Sequence, residues 1–336
     1  MDAPRFTTGR LAASLTACLA GTAGCAALAL AYGEQPLDLA AAFTPGTTEE
    51  TIFFALRLPR VALAALVGAA LGASGAMLQS LLRNPLADPF VLGVSGGAGL
   101  GATIALALGL SGFAALPGVS AVTVLALAGA LGATVLVLSL GRLARGEVAH
   151  TTLLAGVIFN AFALAAITFI KALVAPDRLG EILYWLAGTL GPERPATLVG
   201  TALVVALAVG AMVALSGRLN LLSLGDEDAQ ALGVQVSRTR AWLLVAASVA
   251  VASVVSLSGL VGFVGLLVPH LVRLAFGVDQ RLAVPASAVV GAGFLMLADL
   301  LARVLFRVFH TEPPVGVITA LLGGPAFLAL MARARR

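Results

Sequence analysis

The tetrapeptide Gly93-Val94-Ser95-Gly96 fits a Gly-x-Ser-Gly pattern, and His270 could serve as base to a serine nucleophile there. Such a dyad needs hydrogen-bond contact between the two side chains. Glycine-rich helix packing explains the tetrapeptide more simply, which leaves an intramembrane serine protease at Ser95 as the weaker reading. Asp299 is a second candidate, because an acid inside an apolar stretch could carry a proton or sodium ion in an ion-coupled secondary transporter. Arg303 follows one helical turn later, and that spacing favours a pairing role for Asp299. A phosphate-cradling Gly-x4-Gly-Lys-Ser/Thr loop is absent, and the single lysine, Lys171, has no glycine loop before it. If ATP drives this protein, another chain must hydrolyse it. The glycines of Gly97-Ala98-Gly99-Leu100-Gly101 lack the preceding strand and downstream acid of a dinucleotide site. Cys18 and Cys25 lie too far apart along a helix to pair and suit core packing. No catalytic residue, metal-ligand set or cofactor is expected.

Two polar connectors carry more information. Residues 216–240 include Leu224-Gly225-Asp226-Glu227-Asp228-Ala229-Gln230-Ala231-Leu232-Gly233. Gly225 can end one short helix and Asp226 can cap the next, with Glu227 and Asp228 favourably placed in its first turn. Ala229, Leu232 and Val234 give that helix an apolar side. This is either a helical loop lying on the membrane or a docking knob for a soluble partner, and the acids would not favour an anionic leaflet. In the second connector, Arg83-Asn84-Pro85-Leu86-Ala87-Asp88-Pro89, two prolines four apart forbid a regular helix. Asn84 and Asp88 can bond the free amides of the resulting turn.

The elements that must position these residues follow from hydropathy. Of 336 residues, 60% are hydrophobic and 11% charged, where a soluble domain has about a quarter charged. Apolar blocks fall at about 11–31, 58–82, 91–110, 118–140, 149–174, 195–215, 241–257, 260–271, 282–302 and 314–332. The chain therefore reads as one all-α integral membrane domain, 1–336, of about ten transmembrane helices. The run Thr22-Ala23-Gly24-Cys25 only faintly resembles a lipoprotein cleavage site, so 11–31 is taken as the first span. With an even count and the N-terminus inside, thirteen of the 20 basic residues fall on the inner side, which makes both termini cytoplasmic. Those arginines orient the chain against membrane lipid; no run of five basic residues suggests nucleic acid. Glycines four apart, Gly68 and Gly72, then Gly93, Gly97 and Gly101, are spaced for close helix contact.

Several stretches together resemble the FecCD-type permease family of iron-chelate, haem and cobalamin importers. They are Arg57-Leu58-Pro59-Arg60, Gln79, the turn 83–89, Leu92-Gly93-Val94-Ser95, Leu224-Gly225-Asp226, Ala231-Leu232-Gly233, Gly262-Phe263-Val264-Gly265-Leu266, Pro269-His270, Pro314–Ala320 and Gly323-Gly324-Pro325. The resemblance implies a type II ABC importer in the cell inner membrane. In it a homodimer, or a pair of permeases, joins two cytoplasmic ATPase subunits and a periplasmic substrate-binding protein. It implies ATPase coupling through Leu224, Gly225, Asp226, Glu227, Ala229, Leu232 and Gly233. It implies a cytoplasmic gate at Asn84 and Leu86 with Val148, Ala149, His150 and Thr151, although His150 equally suits an interfacial histidine. It also implies that Arg57, Arg60 and Arg303 receive acidic residues of the binding protein, while the residues alone leave room for arginines snorkelling to outer headgroups.

Overall fold

The computed structural model describes residues 8–35, 37–38, 40–116, 119–143 and 148–334. Helices α1 (Thr8–Ala31), α2 (Leu58–Leu81), α3 (Val94–Ala107), α4 (Ala121–Leu143) and α5 (Val148–Leu173) come first. A short amphipathic α6 (Pro176–Leu186) and α7 (Pro195–Ala214) follow, then α8 (Ser216–Leu222) and α9 (Asp226–Ala231) in the long connector. The chain continues with α10 (Val236–Ser258), α11 (Val264–Phe276), α12 (Gln280–Phe309) and α13 (Val315–Ala334). Among the described residues seven helices are long and apolar enough to cross a membrane, and three shorter apolar helices span Val94–Ala107, Val264–Phe276 and Val315–Leu330.

Two features depart from the hydropathy reading. The break near Pro117 holds a small antiparallel strand pair, Ala114–Leu116 with Val119–Ser120. Helix α6 fills the link after Leu173 and buries Ile182 against Leu106 and Val122. Neither has the length or apolar run that a window search detects.

Helix α2 is the centre of the bundle and packs on α7, α10, α11 and α12. Its glycines explain how. A Cβ on Gly68 would lie 2.1 Å from the carbonyl oxygen of Gly291, and one on Gly72 would lie 2.2 Å from that of Ser287. Backbones of α2 and α12 therefore touch, and dispersion between them replaces the hydrophobic drive that lipid cannot supply. Gly97 and Gly101 meet Gly129 and Leu125 of α4 in the same way. Gly93 differs: it sits at φ +82°, where it ends the turn before α3. We expect Gly68→Ala to destabilise the purified chain by about 1–3 kcal/mol through overpacking. Gly200→Ala has open space around its new methyl and should be neutral. Equal melting temperatures for the two variants in detergent would refute the backbone contact.

Candidate functional site

Polar chemistry gathers at the two ends of α2. The helix has 24 residues and so spans roughly 36 Å, with Arg60 in its first turn and Arg83 just beyond its last.

At the Arg83 end the centre is Asp226. Its Oδ1 accepts from Arg83 Nη2 at 3.1 Å and from Arg240 Nη2 at 2.8 Å, and its Oδ2 accepts from Arg240 at 2.9 Å. These bonds pin the start of α9 to the ends of α2 and α10. Gly225, at φ +147°, is the residue that precedes α9, so Asp226 opens the helix as its first residue and bonds arginines instead of capping it. Gly233 closes the knob at φ +83°, a backbone that a side chain would strain. Leu219 and Leu222 of α8 are buried below it. Asn220 links it to the α11–α12 turn, donating to Asp279 Oδ1 at 2.7 Å and accepting from Gln280 N at 2.9 Å. Leu224, Glu227, Asp228 and Leu232 point outward, Leu224 with 62% exposure.

The neighbouring turn is built by its own side chains. Leu86 N donates to Asn84 Oδ1 at 2.9 Å and Phe90 N to Asp88 Oδ1 at 2.8 Å, the roles expected of Asn and Asp before proline. Burial pushes the Asp88 carboxyl up to about 6, against the smaller opposing pull of the Phe90 N–H. Gln79 donates to the carbonyls of Gly265 and Leu266 and accepts from Arg273, which locks α11 to the same corner. Asn160 of α5 donates to Phe90 O at 2.9 Å and accepts from Gly96 N at 3.1 Å. A cavity of about 410 Å³ opens beside this turn, lined in part by Asp88, Val157, Asn160 and Phe263. Asn84 and Leu86 are exposed and Thr151 is half-buried in the first turn of α5. The side chains of Val148, Ala149 and His150 lie outside the described residues.

At the other end Asp299 is fully buried between two guanidinium groups. Its Oδ1 accepts from Arg60 Nε at 2.9 Å and Nη2 at 2.7 Å, and its Oδ2 accepts from Arg303 Nε at 2.9 Å. Arg60 also bonds Glu312. The remaining donors close the end of α1. Arg57, at the end of a π-helical segment Thr51–Arg57, donates to the carbonyls of Leu30, Ala31 and Gln35. Arg303 donates to those of Ala29 and Tyr32, and Arg307 to those of Gly33 and Glu34. A helix C-terminus leaves its last four carbonyls without partners and carries partial negative charge, so cations belong there.

Two chemical readings lose their geometry. Ser95 Oγ donates to Phe90 O at 3.3 Å, whereas the His270 ring lies edge-on against Phe327, and no hydrogen bond joins the two. Asp299 is paired with Arg303, as the four-residue spacing indicates, and with Arg60 besides, so neither oxygen is free to carry an ion.

A model of the FecCD transport family matches residues 21–333. The chain belongs to the FecCD transport family. As a FecCD protein it is 41% identical to the cobalamin import system permease protein BtuC of Halobacterium salinarum, over 91% of this chain and 78% of the relative. It is 40% identical to the hemin transport system permease protein HmuU of Yersinia pestis, over 84% of each chain. A solved inward-facing structure assigned to the metal-chelate type ABC transporters superposes with a TM-score of 0.84 at 29% identity, covering 95% of this chain and 98% of that one. This FecCD chain is therefore a transmembrane permease subunit, a multi-pass protein of the inner membrane.

Burial constrains two groups of the FecCD site residues. Ala229 does not present itself at the surface of the knob: it is fully buried, turned toward the bundle beneath α9. Of the residues expected on the apolar side of α9, Ala229 packs inward while Leu232 stays exposed. Arg57 and Arg303, expected as open acceptors, are 6% and 5% exposed and bonded within the chain. Unpaired carbonyls of α1 and the buried Asp299 carboxylate attract them first. Glu312 and Asn160, which complete the two ends, escaped the sequence reading. An acid just before Pro313-Pro314 and an amide inside an apolar span were the signals available.

Proposed function

We propose that this chain is one of two permeases of a type II importer, crossing the membrane ten times with both termini in the cytoplasm. The paired chains would enclose the path for a metal chelate, a ferric siderophore, haem or cobalamin. Among the described residues the seven long and three shorter apolar helices coincide with the ten hydropathy blocks, which supports that count. The observation that carries the reading is the α8–α9 knob, held rigid by Asp226 and presenting Leu224 and acidic side chains beside the Asn84–Leu86 turn. A cytoplasmic ATPase would grip the knob, and its movement would reach the turn through Arg83, which touches both. The cavity at Val157 and Asn160 would lie along the path, with α5 supplying its wall. At the opposite end a substrate-binding protein would dock. Arg60 and Glu312, whose side chains are 14% and 24% exposed, are the part of the cluster open to it; Arg57 and Arg303 would hold that surface in shape from beneath.

Relatives that import cobalamin and hemin match this chain almost equally, so the substrate is proposed as a class. Reconstitution tests the whole reading. The chain alone should hydrolyse no ATP; with its ATPase and binding protein in vesicles it should accumulate chelate, and added salt should slow capture of the binding protein. ATP turnover by the chain alone, or uptake without any ATPase, would remove the proposal.

A further inference from the structure

A second cavity of about 1160 Å³ runs between α7 and α10 and ends at the α8–α9 knob. That volume exceeds the roughly 300–1,000 Å³ of drug-sized pockets. Its walls are two apolar stripes at helical spacing. Leu207 and Ala211 stand on α7, and Trp242, Val245 and Val249 on α10, with Arg238 one turn before Trp242. At the knob end the walls finish in Arg218 and Arg238. Both are exposed, and neither has an ion-pair or hydrogen-bond partner among the described residues. Other arginines at this end behave differently: Arg83 and Arg240 hold Asp226, and Arg273 holds Gln79.

An apolar groove in a bilayer protein is covered by acyl chains or by another helix. The charges distinguish them. Two free guanidinium groups at the polar end, with an exposed indole just inside it, match a phosphate headgroup above acyl chains. Arginine stems snorkel and tryptophan rings settle at this boundary. A covering helix from another protein would have to bring a carboxylate to each cation at the groove's polar end, whereas one lipid phosphate meets both. We propose that this groove binds one anionic phospholipid, its phosphate taken by Arg218 and Arg238 and its chains lying along α7 and α10. Residues Leu232–Gln235 form part of the rim, so the lipid would touch the segment leading out of the knob. The binding itself does not depend on the docking role proposed for that knob.

The chain has two tryptophans, so Trp185→Phe leaves Trp242 as the sole fluorophore in the full-length protein. In phosphatidylcholine nanodiscs, phosphatidylglycerol with brominated acyl chains should quench Trp242 at far lower mole fraction than brominated phosphatidylcholine with the same chains. Arg218→Gln and Arg238→Gln should each weaken that preference roughly five-fold, and together abolish most of it. Ala211→Phe, which narrows the groove but leaves both arginines, should also reduce it. Free glycerol phosphate should compete poorly because it cannot fill the apolar part. Equal quenching by the two lipids, a preference indifferent to the arginine changes, or full competition by glycerol phosphate would each overturn the proposal. So would shielding of Trp242 from both lipids, which would mean that another protein chain covers the groove.

Discussion

Replacing Asp299 with alanine should destabilise the protein by about 3–5 kcal/mol, the usual cost of stripping one partner from a buried ion pair. Arg303 would lose the one carboxylate it bonds among the described residues while buried, keeping the Ala29 and Tyr32 carbonyls. Arg60 would fare better because Glu312 remains. Glu312→Gln, at a quarter-exposed site, should therefore cost much less, within the ~1 kcal/mol of solvent-screened pairs. Asp299→Leu combined with Arg303→Met should cost less than the two single changes summed, since removing both leaves no buried charge without a partner. Thermal loss of the monodisperse species in detergent reads each of these variants. An Asp299→Ala protein that melts normally but no longer transports would restore the ion-carrier reading. The same geometry makes Arg303→Glu a poor probe of binding-protein docking, because a third carboxylate would enter the buried cluster and unfold the surface under study.

The second large effect belongs to the knob. Leu224→Arg should leave the melting temperature within error and reduce ATPase co-purification at least thirty-fold. A loss of that size, about 2 kcal/mol, would make Leu224 one of the few hot-spot residues of its interface. Glu227→Lys, on the same outward face, should slow association and show it most at low salt. Ala229→Arg separates surface from support: with no exposed area at Ala229, the arginine must displace α9 from the bundle, so stability and docking should fall together. Wild-type ATPase binding by Leu224→Arg would remove the knob from the interface.

Much of this protein is local, and local features can be read from a sequence. Apolar blocks set the helices because unpaired backbone is intolerable in hydrocarbon. Pro85 and Pro89 set the turn, Asn84 and Asp88 its bonds, and Gly225 and Gly233 the bends of the knob. Asp299 and Arg303 share one helix face, so their pairing is a matter of spacing. What the helices do to one another is different. Arg60 reaches Asp299 across 239 positions and Arg83 reaches Asp226 across 143; the first follows from the glycines that bring α2 against α12, and neither can be read from spacing along one helix. Tertiary packing likewise buries Ala229 and places Arg57 and Arg303 on the end of α1. Residue type announces a charge or an apolar surface, but a charge takes whichever partner the folded bundle places beside it, and burial belongs to the assembled helices.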